Sequence, residues 1–225
     1  MKVKYYNYIF SFIIIIIFFS GLRISEDYGI TVDENACRSG GLSYVKYISD
    51  ILGFQNPGLD YIPKIENNVN ALIKPNGMIF EIPAIILEEI LDINEKNEIF
   101  FLRHKITFIF HFAGIISFFF FSREIFCSNR KALFASMIYC LHPRIFAHSF
   151  FNPKDIIFLS MVSVCLYPSI LFLKTESKKW MIFTGICIGL AMSVRIVGIY
   201  LPFLVILFFF GKSLIEKSYY NSQVL

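Results

Sequence analysis

Long apolar runs alternate with short polar and basic stretches along this chain. The pattern predicts about six membrane-spanning helices, at roughly 8–22, 104–122, 131–150, 155–173, 180–194 and 196–211. The fourth run is long enough to cross roughly 27 Å at about 1.5 Å per residue. The last apolar stretch is too long for one crossing and contains Arg195, so it predicts two helices that meet there. The expected fold class is an all-α integral membrane protein.

The long segment 23–103 separates the first two apolar runs and is itself patterned. Apolar residues recur there at helical spacing and predict an amphipathic helix in the membrane interface: Leu42, Val45, Ile48, Ile51 and Leu52. A second such helix is predicted over 83–93, with its isoleucines facing lipid and Glu88 facing water. Turns are expected at 55–58 and 75–77, where proline, asparagine and glycine cluster.

Composition and charge agree with a membrane protein. Hydrophobic residues make up 56% of the chain, Phe alone occurs 27 times, and the mean hydropathy is +0.62, which exceeds what a soluble domain of this length normally carries. The formal net charge of +4 is too small to indicate a nucleic-acid partner. The first run is followed by no small-residue cleavage site, so we expect a retained helix rather than a signal peptide.

The basic residues indicate the orientation in the membrane. They form four clusters between the apolar runs: Lys2 and Lys4; Arg123, Arg130 and Lys131; Lys174, Lys178 and Lys179; Lys212 and Lys217. The positive-inside rule puts all four, and the N-terminus, on the cytoplasmic side of the plasma (inner) membrane. An even number of crossings must then separate each cluster from the next. The segment 23–103, the stretch 142–155 and Arg195 therefore lie on the outer side.

Charged residues therefore converge on one membrane face. The adjacent carboxylates Asp33 and Glu34 share it with the polar stretch 142–155 and with Arg195. Charged groups at membrane depth are costly and persist mainly where they line a cavity or bind a ligand. The alternatives are a solvated acidic turn that caps a helix starting near Asn35, and an arginine that reaches the lipid headgroups.

Two of these stretches carry a family resemblance. The run from Pro143 to Ser149, followed by Asn152 to Asp155, resembles the dolichyl-phosphate-mannose protein mannosyltransferases of glycosyltransferase family 39 and the aminoarabinose lipid A transferases, within the GT-C superfamily. The run from Ala191 to Arg195 is similar to the segment that this family places before its next span. The resemblance implies transfer of a sugar from a polyprenyl-phosphate donor to a protein, lipid or glycan acceptor at the outer membrane face.

The resemblance also suggests a role for each acidic residue. An acceptor hydroxyl is a weak nucleophile and needs a carboxylate to take its proton, a role we assign to Asp33. Glu34 would orient the acceptor, share a metal or tune Asp33 by like-charge repulsion. Asp155 matches the family's second acidic residue, and would hold a divalent cation (Mg²⁺ or Mn²⁺) with Asp33, orient Lys154, or cap the next helix.

The leaving group of such a reaction is a lipid phosphate, and basic side chains are suited to bind it. Arginine can do so with two hydrogen bonds and a permanent charge. Arg195 is the best candidate for binding the phosphate. Three further residues are expected to help: Lys154, Arg144 and His148. Arg103 and His104 are expected at the membrane interface, where they would touch lipid phosphate or anchor the second span.

The resemblance extends over the front half of a family member. It therefore predicts either a second polypeptide that completes the fold, or a non-catalytic membrane protein or assembly partner derived from such an enzyme. A transporter is the third class, because polar residues within spans also mark a substrate path. A transporter needs functional residues on both faces, whereas the special residues here gather on one.

Overall fold

The computed structural model describes residues 2–53 and 78–223, and all regular secondary structure in that part of the chain is helical. The α-helices are α1 Lys2–Ile24, α2 Val32–Leu52, α3 Met78–Ile90, α4 Lys96–Phe126, α5 Asn129–Leu141, α6 Pro143–Phe151, α7 Asp155–Thr175, α8 Lys178–Val194 and α9 Tyr200–Gln223. Short 3₁₀ turns lie at Ser25–Asp27 and Ile196–Ile199. The turns predicted at 55–58 and 75–77 lie outside the described residues.

Three helical segments in this part of the chain have the length and hydropathy of a membrane span: Lys96–Phe126, Asp155–Thr175 and Ile196–Ile215. The second span was predicted over 104–122, but α4 begins earlier, at Lys96. Its extra first turns are stabilised by packing, because Ile99 and Phe100 are buried. The helical membrane class expected from the apolar runs is thereby confirmed.

The helix predicted over 131–150 is divided in two. α5 ends at Leu141, His142 is extended with φ −60° and ψ 118°, and α6 begins at Pro143. Proline has no N–H to donate and disfavours helical geometry in the residue before it, whereas it fits the first position of a new helix. The stretch 142–155, expected as a loop, is consequently mostly helical.

The centre of the bundle lies between α4 and α7. A Cβ atom on Gly114 of α4 would lie 3.1 Å from the Cα atom of Ser160 in α7, so the two backbones approach closely. Small residues permit such contacts between helices in membranes. The apolar core extends from this contact across α3, α4, α7, α8 and the start of α9: Phe80, Ala84, Ile106, Ile157, Met161, Cys165, Cys187, Ile188, Ala191, Val194 and Leu201.

Basic side chains collect at one end of the bundle. Lys174, at the end of α7, donates to the backbone oxygen and to the carboxylate of Glu124 near the end of α4, at 2.8 and 2.9 Å. Lys212 of α9 donates to Glu176, just beyond α7, at 2.8 Å. Asp155 lies at the opposite end of α7, about 30 Å away at 1.5 Å per residue. The two ends of the spans therefore carry different sets of charged groups.

The orientation expected for α3 is wrong at Glu88. This helix covers Met78–Ile90 rather than 83–93, and Glu88 is buried instead of facing water. Its carboxylate accepts from Arg38 of α2 at 2.9 Å and from Arg103 of α4 at 2.7 Å. The Glu88 carboxylate loses its hydrating water on burial, and hydrogen bonds from two arginines compensate for that loss.

Candidate functional site

Four charged side chains from three distant parts of the chain meet at the end of the bundle opposite the basic clusters. Lys154 Nζ lies 3.4 Å from Asp33 Oδ1, although the two residues are 121 positions apart. Arg195 Nη2 lies 2.8 Å from Asp155 Oδ1. Because Lys154 and Asp155 are neighbours, the two ion pairs form one cluster. The structure brings together four of the residues singled out from the sequence.

Both carboxylates of this cluster are open to solvent. The side chain of Asp33 is 74% exposed and that of Asp155 is 59% exposed, whereas Lys154 and Arg195 are more enclosed. Exposed ion pairs contribute only about 0–1 kcal/mol, because water screens the attraction and two side chains must be ordered. Each cation can therefore exchange its carboxylate for another anion at little cost.

Asn152 organises the turn that leads into α7. Its Oδ1 accepts from the backbone N–H groups of Lys154 and Asp155, at 3.2 and 2.8 Å. Its Nδ2 donates to Asp155 Oδ2 at 3.3 Å and contacts His148 Nδ1 at 3.1 Å. Asn152 was not among the site residues expected from the sequence. An asparagine that precedes a helix by a few residues is a turn signal, and could have identified it.

Arg195 lies at the break between α8 and α9. Its backbone is extended, with φ −145° and ψ 133°, and its carbonyl accepts from Gly198 N at 2.8 Å. A Cβ atom on Gly198 would lie 3.0 Å from backbone atoms of Met192, so the chain turns back closely against α8. Two helices were expected to meet here, and this tight turn fixes the position from which the guanidinium reaches Asp155.

The remaining basic candidates lie on α6. His148 is half-buried and joins the cluster through Asn152. Arg144 is exposed one turn earlier on the same helical face. Beside them the ring of Tyr28 stacks on Phe150, with centroids 4.7 Å apart, which holds the chain that precedes α2 against α6.

Glu34 does not face this cluster. α2 begins at Val32 rather than near Asn35, and Glu34 is a buried residue of its first turn. One carboxylate oxygen accepts from the backbone N–H and the hydroxyl of Thr31, at 2.7 and 2.9 Å, in a capping box. The other lies 2.7 Å from His104 Nε2. The expectation that Glu34 orients an acceptor or shares a metal with Asp33 does not fit this geometry.

Arg103 and His104, expected at the membrane interface, both lie inside the bundle with partners on other parts of the chain. Both side chains are buried, Arg103 at 2% exposure. Arg103 forms ion pairs with Glu81 and Glu88 of α3, and its guanidinium lies 5.5 Å from the ring centre of Phe80. Burial raises the pKa of the Glu81 carboxyl, although Arg103 opposes that rise. The sequence showed the charges but not their partners on α3.

The cluster offers little to a divalent cation. In the ranges 2–53 and 78–223, no three His, Cys, Asp or Glu side chains lie close enough together to hold a metal ion. Asp33 and Asp155, the expected ligands, each face a cationic side chain instead. Hard cations such as Mg²⁺ prefer several oxygen ligands, so the residues present do not fit the expected metal site.

Long apolar helices with an exposed charged cluster at one end define an integral membrane protein with a polar cluster at one end of its helical bundle. The chain belongs to the dolichyl-phosphate-mannose-protein mannosyltransferase family, whose model matches residues 82–224. The resemblance noted in the sequence is thereby confirmed. Lys154, Asp155 and Arg195 lie within the matched residues, and Asp33 lies before them. A search of curated proteins and one of solved structures found no match.

Proposed function

We propose that this chain transfers a sugar from a polyprenyl-phosphate donor to an acceptor hydroxyl, with Asp33 as the base. Membership of the mannosyltransferase family supports a lipid-linked sugar donor. The observation that carries the proposal is the cluster itself, in which an exposed carboxylate stands beside Lys154 and next to the pair of Asp155 and Arg195. Such a transfer needs an anion that accepts a proton and cations that hold a phosphate.

The proposed reaction takes place at the outer membrane face. The basic end of the bundle, with Lys174 and Lys212, would lie in the cytoplasm together with the N-terminus, as the positive-inside rule requires. The opposite end, with Asp33 and Arg195, then faces outward. About six crossings are proposed, of which three have the length and hydropathy of a span within the described residues.

Asp33 is proposed to accept the proton of the acceptor hydroxyl as that oxygen attacks the anomeric carbon. The bond from that carbon to the donor phosphate then breaks, and the polyprenyl phosphate leaves with the electron pair. Asp33 suits this step because most of its side chain is open to an approaching acceptor. A positioned general base contributes about 10²- to 10⁴-fold to such a rate.

Arg195 and Lys154 are proposed to hold the donor phosphate. Both are neutralised by exposed carboxylates, so the phosphate would replace Asp155 at Arg195 and Asp33 at Lys154. Replacement at Lys154 also frees Asp33 to act as the base. Arg144 and His148 on α6 are proposed as further contacts for the phosphate, with His148 held by Asn152.

The test is the substitution Asp33→Asn, which keeps the size of the side chain and removes its basicity. We expect sugar transfer from radiolabelled polyprenyl-phosphate mannose to fall at least about 100-fold, with normal abundance in the membrane. The matched control is Asp50→Asn, an exposed carboxylate near the other end of α2, which should keep full activity. Undiminished transfer by Asp33→Asn would remove Asp33 from the catalytic role.

A further inference from the structure

A buried series of hydrogen bonds anchors the first turn of α2. Ser25 O lies 3.0 Å from His104 Nδ1, and His104 Nε2 lies 2.7 Å from Glu34 Oε1. Glu34 Oε2 then accepts from the backbone and the hydroxyl of Thr31. One imidazole of α4 thereby connects the turn that follows α1 with the first turn of α2.

The hydrogen bonds that His104 makes require two protons, shared between its imidazole and the Glu34 carboxyl. A carbonyl oxygen can only accept, so the bond to Ser25 places a proton on Nδ1 of His104. The 2.7 Å contact between Nε2 and the Glu34 carboxyl needs a second proton. His104 and Glu34 thus hold two protons together and form a neutral pair. Breaking a buried pair of this kind by removing one partner is strongly destabilising for the local structure.

Asp33 depends on this pair for its position. Its carboxylate has one weak ion pair, with Lys154 at 3.4 Å, and is otherwise open to solvent. Its place is therefore set by the backbone of the first turn of α2, where its neighbour Glu34 is anchored on both oxygens. A misplacement of about 1 Å in a catalytic group can cost about 100-fold in rate.

We propose that Glu34 and His104 are positioning residues that hold Asp33 in place, and that neither takes part in the proton transfer. This inference rests on the proposed function of Asp33. It explains why an acidic pair occurs here, because Asp33 faces outward toward Lys154 while Glu34 faces inward toward His104.

The rest of α2 has its own anchor, so loss of the pair should stay local. Arg38 donates to Glu88 of α3 at 2.9 Å, and Gly41 packs closely against Glu81 and Ile85. These contacts follow the first turn of the helix and do not include Glu34. Variants of Glu34 should therefore insert and fold, with only the first turn released.

The test compares two substitutions of Glu34. Glutamine keeps an oxygen for the two donors of Thr31, and its NH₂ group can donate to an unprotonated Nε2 of His104. Glu34→Gln should therefore retain kcat within about threefold. Glu34→Ala removes both anchors and should lower kcat about 100-fold, with little change in KM for the donor. Equal loss in both variants would mean that Glu34 acts as an acid or base, and would overturn the proposal.

A second measurement needs no enzymatic activity. A nitroxide attached to Asp33→Cys, in a Cys127→Ala background, reports the mobility of the first turn by electron paramagnetic resonance. We expect a restricted spectrum with Glu34 or Glu34→Gln, and a mobile spectrum with Glu34→Ala or His104→Ala. Glu89→Ala, which removes an exposed carboxylate of α3, is the matched control and should leave the spectrum unchanged.

The two measurements separate failure of the inference from failure of the proposed function. An unmodified chain that transfers no sugar, but shows the expected spectra, would refute the function while retaining the anchoring role. A restricted spectrum with Glu34→Ala would refute that role whatever the activity. In the double variant Glu34→Ala, His104→Ala, the mobility should not exceed that of Glu34→Ala alone, since that single variant already lacks the hydrogen bond to His104.

Discussion

At the scale of single residues, the important property of the candidate site is that its opposite charges already neutralise one another. Lys154 faces Asp33, and Arg195 faces Asp155. A ligand phosphate must compete with two carboxylates for these cations. Both carboxylates are mostly exposed, so they lose little when they are displaced. Under the proposed function, binding of the donor and release of Asp33 are then the same event.

One prediction from this competition is that Asp155→Asn binds polyprenyl phosphate more tightly. The substitution removes the anion that competes for Arg195, and several-fold tighter binding is expected. Arg195→Ala should weaken the same binding about tenfold or more, because a hydrogen bond to a charged group contributes roughly 1.5–3 kcal/mol. Titration of detergent-solubilised protein with a short-chain prenyl phosphate measures both. Weaker binding by Asp155→Asn would argue that the carboxylate itself contacts the ligand.

At the scale of helices, the site depends on how α4 holds its neighbours. Consecutive residues of this helix, Arg103 and His104, bind α3 and α2 respectively. About three turns further along the helix, Gly114 lets α4 approach α7, whose first residue is Asp155. The contact between α4 and α7 therefore determines where Asp155 lies relative to α2 and Asp33.

We therefore predict that Gly114→Val destabilises the bundle more than Gly185→Val. Both substitutions place the same β-branched residue in a helix, so their intrinsic propensities cancel. A side chain at Gly114 meets the backbone of Ser160, whereas at Gly185 it meets open space. Overpacking at the first position should cost about 1–3 kcal/mol, measured as a lower Tm in detergent. Equal Tm values for the two variants would contradict the close packing of α4 on α7.

At the scale of the whole molecule, the two ends of the spans differ in charge. Cys127 is exposed in the turn between α4 and α5, at the basic end. Cys37 lies in α2, near the candidate site, but it is buried, and burial raises the pKa of its thiol to about 11. Only the thiolate reacts readily, so Cys37 should be inert to thiol reagents.

This difference gives a test of the orientation. In intact cells, an impermeant maleimide should label the variant Ala36→Cys, whose side chain is exposed on α2. It should label Cys127 only after permeabilisation, and Cys127→Ala should remove that signal. Labelling of Cys127 in intact cells, with protection of residue 36, would reverse the proposed orientation.

Several features of the fold and the site were predictable from the sequence because they depend on neighbouring residues. The apolar runs predicted helical membrane spans, Arg195 predicted a break between helices, and the run up to Asp155 carried the family resemblance. Local chemistry also accounts for the division of the helix at Pro143, although a single span was predicted over 131–150. A proline at that position restricts the backbone whatever the tertiary structure is.

By itself the sequence determined the class of protein, the family and the charged residues at the ends of its helices, since composition and periodicity reflect contact with lipid along one helix at a time. Only the tertiary structure decided which charges are exposed. Asp33 and Glu34 are adjacent, yet one faces solvent and the other is buried against His104, 70 residues away. Burial of a charge depends on the partner that packing brings to it, and that partner lies on another helix.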